Sequence, residues 1–141
     1  MKTFSEYFPA VFLLLNGALY LLIAWLFGSD PETWFAAVEI SLPGAVGMTE
    51  LNATYVGLLA GTGLFLLIAG MVENLQLGAT LYLLFAYAGF ATLRGWGIFV
   101  QRAYNDLMMQ LFIAELLSVA GTIVALYCLY LNGLRKRNPY F

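Results

Sequence analysis

Four apolar stretches restrict this chain more than any other feature. An α-helix needs about 20 predominantly apolar residues to cross roughly 30 Å of hydrocarbon, a medium in which each segment must satisfy its own backbone N–H and C=O groups. The first stretch is FPAVFLLLNGALYLLIAWLF, Phe8 to Phe27. The others run from Thr49 to Val72, Leu75 to Phe99 and Leu107 to Leu131. With 62% hydrophobic and 10% charged residues and a mean hydropathy of +0.85, the chain lies far from the roughly 45–50% apolar and 25% charged content of a soluble domain. The expected fold class is an all-α membrane protein. Short connections make consecutive helices antiparallel neighbours, so residues 1–141 are expected to form one domain, a four-helix up-down-up-down bundle. A cleaved signal peptide is the rival reading of the first stretch, but the run is too long and no small-x-small cleavage site follows it. An uncleaved anchor is expected.

Composition then removes several kinds of chemistry. The chain has no histidine and one cysteine, so it cannot assemble the imidazole and thiolate sets that hold zinc, copper, haem or iron–sulfur clusters. No metal and no cofactor is expected. Cys128 sits in an apolar run and reads as a small core residue. Arg135, Lys136 and Arg137 follow the last apolar stretch within the tail 132–141, whereas the segment holding Asp30, Glu32 and Glu39 has no basic residue. The positive-inside rule therefore puts the tail in the cytoplasm. An even number of spans returns Lys2 and the amino terminus to the same side, as in a multi-pass protein of a bacterial inner membrane. Nucleic acid is not needed to explain six basic residues.

Between the first two spans, residues 30–42 carry helix signals. Ser29 or Asp30 suits the cap, Pro31 the first helical position and Glu32 the positive helix end. Trp34, Phe35 and Val38 would share a face, which predicts a short interfacial helix on the outer membrane surface, ending before Pro43. An irregular loop is the alternative. TELN, residues 49–52, resembles a capped helix start. Ala53, Gly57 and Gly61 repeat every four residues, a small-residue stripe that lets a second helix approach closely. Packing inside the bundle is the expected use, with a seam between two copies as the alternative. Asn16 is assigned a packing role.

Arg94 lies inside the third apolar stretch. A central arginine costs about 2.5–3.5 kcal/mol on insertion scales, so it should face the bundle interior, water or an opposite charge. The third and fourth spans form a hairpin turning near Tyr104 and Asn105. Arg94 lies about ten residues before that turn and Glu115 about ten after it; at 1.5 Å per residue, equal distance means equal depth. The two should meet in the outer half of the membrane as a charge-assisted pair. Glu50 enters the second span from the same side, with Asn52 and Tyr55 following, and is expected to complete a polar cluster. Arg102 and Asp106 belong nearer the headgroups.

The cluster has two readings. One is an interhelical clamp, closed to solvent. The other is a buried pocket that binds a ligand headgroup or passes a proton, since intramembrane ionisable groups often mark such sites; it would open to a cleft among Trp96, Tyr55 and Tyr87.

The stretch TELNATYVGLLAGTGLFLL, residues 49 to 66, the pair Arg94 and Gly95, and Glu115 together resemble an uncharacterised bacterial group of four-span integral membrane proteins, domain of unknown function 4345. The likeness is one of pattern and covers most of the chain in layout. It implies the same fold and polar cluster. A phage-infection label carried by some relatives states no chemistry, and the small four-span sterol-pathway scaffolds of eukaryotes are similar in size and layout only.

The function expected is that of a non-catalytic membrane protein, a scaffold or accessory subunit of a larger complex. A binder or carrier of a lipid or other apolar molecule at Arg94, Glu115 and Glu50 is the alternative. A further alternative is an intramembrane isomerase using Glu50 or Glu115 as acid or base. Membrane lipid is the expected partner, together with other membrane proteins or a second copy of the chain. A proton path would need polar groups along the full depth, whereas the inner half is largely apolar.

Overall fold

The computed structural model describes residues 4–41 and 44–137, with side chains to residue 134. Lys2, Pro43 and the side chains of Arg135, Lys136 and Arg137, which carry the orientation signal and the expected stop of the surface segment, lie outside the described residues.

All regular structure among the described residues is helical. Helix α1 spans Phe4–Ser29, α2 Pro31–Ala37, α3 Ala45–Met71, α4 Glu73–Gln101 and α5 Asp106–Arg137. Of these, α1, α3, α4 and α5 are long and apolar enough to cross a membrane. The chain is an all-helical, multi-pass membrane protein. Helices α1, α4 and α5 outrun their apolar stretches at both ends, and α3 begins at Ala45, ahead of Thr49, because hydrophobicity marks only the part that belongs in hydrocarbon while the backbone ladder continues towards the headgroups. The TELN segment shows this. Thr49 Oγ1 donates to the Ala45 carbonyl at 3.0 Å, a bond inside a helix already begun, and Gly44 occupies the cap position.

The connections follow local chemistry. Asp30 caps α2, accepting from the Thr33 N–H at 3.2 Å, with Pro31 at the helix start. After α2, Glu39 turns into the left-handed region with φ 59°, and the Ile40 N–H closes onto the Phe35 carbonyl at 2.9 Å. The break between α3 and α4 is a single extended residue, Val72, shorter than the expected turn VENLQ. Gln76 explains how so abrupt a break is tolerated. Its Nε2 donates to the Gly70 carbonyl at 3.3 Å, a helix-end carbonyl that the break would otherwise leave bare.

Two stretches are π-helical, Asn52–Leu58 within α3 and Gly97–Gln101 at the end of α4. Wide turns of this kind are rare and cluster at functional sites. The second ends at Arg102, whose φ of 55° stops the helix, and the Ala103 N–H returns to the Gly97 carbonyl at 3.1 Å. Asn105 then caps α5, its Oδ1 accepting from the Met108 N–H at 2.9 Å.

The chain divides into two compact units, Leu14–Ile68 and Met1–Leu13 with Ala69–Phe141. In the first, a Cβ built on Gly17 would lie 2.9 Å from the Gly63 carbonyl oxygen, and one built on Gly63 would lie 2.9 Å from that of Gly17. The α1 and α3 backbones therefore touch where only hydrogen fits. Further along, Phe27 and Tyr55 stack with centroids 5.1 Å apart, and Phe35, fully buried, meets both rings edge-on. In the second unit, α4 and α5 pack along their length, with Ala79, Leu83, Ala91, Ala125 and Cys128 buried.

Polarity is arranged for lipid. Asn16, Thr62, Gln76, Thr80, Glu115 and Thr122 are buried, while Leu15, Phe85, Leu93, Phe99 and Leu117 stand at least 66% exposed. Thr80 and Thr122 return their hydroxyls to the carbonyls of Gln76 and Ser118 at 2.6 Å, which satisfies them without water. In water, so much exposed apolar surface would drive association. Facing acyl chains, it carries no such penalty.

Candidate functional site

Arg94 lies in the last turns of α4 and Glu115 in the third turn of α5, and the two meet. Nε donates to Oε1 at 3.0 Å and to Oε2 at 3.1 Å, and Nη2 donates to Oε1 at 2.9 Å. The carboxylate thus takes the side edge of the guanidinium fork, the strong bidentate arrangement. Nη1 donates to the Met108 thioether at 2.9 Å. Side-chain exposure is 23% for Arg94 and 11% for Glu115, so little of either charge reaches the surface.

Sequence periodicity explains the arrangement. Phe90, Arg94 and Ile98 recur every four residues on α4, while Met108 and Glu115 are seven apart on α5, so each set occupies one helix face. Charge alone gives no reason to single out Met108. Its signal is that seven-residue spacing from Glu115.

A hollow of about 290 Å³ adjoins the pair, lined by Phe90, Leu93, Arg94, Gly97, Ile98, Ala103 and Met108. Trp96, Tyr55 and Tyr87, the expected walls of a cleft at Arg94, do not line it. Tyr87 is buried and Trp96 is 58% exposed. Cys128 is a buried free thiol.

Glu50, Asn52 and Tyr55 belong to the other compact unit. Glu50 and Asn52 are exposed on α3, at the start of its π-helical stretch. Tyr55 directs its ring into the aromatic group with Phe27 and Phe35. The small-residue stripe also differs from the expected use. Ala53, Gly57 and Gly61 are all exposed; a Cβ on Gly61 would meet nothing within 4 Å, and one on Gly57 only its own helix at 3.8 Å. Close helix approach falls instead on Gly17 and Gly63.

Compared with known proteins, the chain matches no family model, no curated protein and no solved structure.

Proposed function

We propose that this chain is a non-catalytic, four-span membrane protein that serves as a scaffold or accessory subunit, presenting the Ala53, Gly57 and Gly61 face of α3 to a helix of a larger complex. The observation that carries this reading is the open space outside Gly61. A small-residue stripe permits close backbone approach, and no helix of the same compact unit takes that approach at Gly61. The ion pair of Arg94 and Glu115 acts as a clamp between α4 and α5, since a salt bridge with both carboxylate oxygens engaged fixes register and orientation. Up-down-up-down topology is part of the proposal. The contact of Gly17 with Gly63 and of Gly28 with Val56 supports antiparallel α1 and α3, and the pairing of Arg94 with Glu115 across a short turn supports antiparallel α4 and α5. The same reading places both termini in the cytoplasm of a bacterium, α2 at the outer interface, and the chain among the uncharacterised four-span proteins it resembles.

The test is Gly61→Leu in the full chain. Stability in detergent is expected to change by no more than about 0.5 kcal/mol, as for a surface substitution. Recovery of the partner after cross-linking in native membranes, read by intact mass, should fall about tenfold or more, because a leucine holds the two helices apart. Unchanged recovery would remove this face from the interface.

A second reading is favoured by the hollow beside Arg94. There the chain binds a lipid or apolar small molecule, with the polar end of the ligand at the guanidinium.

A further inference from the structure

We infer that the hollow beside Arg94 selects an uncharged apolar molecule bearing a carbonyl or similar neutral acceptor, and discriminates against anionic lipid headgroups. This rests on the ligand-binding reading of that hollow and adds the chemical class it takes.

The donor inventory of Arg94 comes first. A guanidinium carries five N–H groups and no acceptor. Glu115 takes the Nε hydrogen and one on Nη2, and the Met108 sulfur takes one on Nη1. One hydrogen on each Nη is left without a partner among the described residues. Met108, which touches Nη1, lines the hollow together with Arg94. The other lining side chains, those of Phe90, Leu93, Ile98 and Ala103, have no nitrogen or oxygen, so Arg94 is the sole side-chain source of a strong hydrogen bond there.

Charge decides what the remaining hydrogens take. An arginine alone in an apolar wall would call for an anion. Here Glu115 already neutralises it at 2.9 Å. A second anion would leave the pair and its ligand with one net negative charge in a low-dielectric setting, which is unfavourable unless it too is paired. A neutral oxygen acceptor gains a charge-assisted hydrogen bond and leaves the pair neutral.

Size and surroundings fit a head with an apolar tail. About 290 Å³ lies at the lower limit of small-molecule pockets, roughly 300–1,000 Å³, enough for a head group and the first carbons of a chain. Phe90 and Leu93 border the hollow at 47% and 75% exposure, so the rest of a chain can lie along them among the acyl chains.

The test uses the full chain in detergent and native mass spectrometry with three matched probes: methyl undecyl ketone, tridecane and undecanesulfonate. Wild type should bind one ketone about tenfold more tightly than the alkane or the sulfonate, as one hydrogen bond to a charged donor allows. Gly97→Leu should abolish that binding. A Cβ at Gly97 meets only the Gln101 Oε1 and the Ala103 carbonyl at 3.9 and 4.0 Å, so the larger side chain fills the hollow while the chain keeps its wild-type melting temperature. Equal binding of ketone and alkane would overturn the inference by showing that Arg94 donates nothing. Tighter binding of the sulfonate would overturn it in favour of an anion site and leave the ligand-binding reading standing. Failure of all three probes to bind would remove that reading as well.

Discussion

Glu115→Ala is expected to destabilise the protein by about 3–5 kcal/mol, the range for removing one partner of a buried ion pair. The loss comes from what remains. Arg94 would keep its charge, since a guanidinium does not deprotonate in proteins, with the Met108 thioether as its one remaining acceptor among the described residues. Arg94→Leu is expected to cost less, because a carboxyl left alone in an apolar setting can take up a proton and become neutral. The double variant with leucine at both positions should recover most of the loss, since a buried pair replaced by apolar side chains of similar size is often neutral in stability. Unfolding in detergent of wild type, Arg94→Leu, Glu115→Leu and the double variant, read as a double-mutant cycle, measures the coupling directly. Additive single effects would show that the two side chains do not act as a clamp.

Gly63→Leu is expected to be comparably damaging for a different reason. A Cβ at Gly63 falls 2.8 Å from the Leu21 side chain and 2.9 and 3.0 Å from the backbone atoms Gly17 O and Leu21 N. Side chains can rotate out of the way, but a helix backbone cannot, so α1 and α3 must separate along the whole seam. Overpacking of a core typically costs about 1–3 kcal/mol and at times more, and a leucine at a backbone contact belongs at the upper end. Even Gly63→Ala should lower the melting temperature in detergent measurably, whereas Gly61→Ala, two residues away in open space, should not. Equal effects at the two positions would place the seam elsewhere.

How legible the molecule is from its residues differs between these two cases. Pairing of Arg94 with Glu115 follows from one-dimensional information, because in a tight hairpin two residues equally distant from the turn have equal depth, and an unpaired charge at that depth is costly. The short turn at Arg102 to Asn105 lets that arithmetic hold. Met108 was legible in the same way, seven residues before Glu115, but only to a reading that treats a thioether as an acceptor. The hollow was not legible, since it depends on the π-helical turn at Gly97–Gln101 and the left-handed Arg102. No composition signal marks either of them.

Sequence is enough to make the chain helical and suited to a membrane, because the length and apolarity of four stretches leave few other ways to satisfy the backbone in hydrocarbon. It also pairs Arg94 with Glu115, but the expectation that Glu50 joins them fails, since Glu50 belongs to the other compact unit. Which glycines touch depends instead on how the helices pack in three dimensions. An interval of four places Ala53, Gly57 and Gly61 along one helix, but close approach needs a small residue on each of two helices at the same height, and Gly17 and Gly63 meet that condition. Periodicity reports the face of one helix, whereas contact is a property of two, so the tertiary fold alone separated the seam that closes within this protein from the stripe left facing outward.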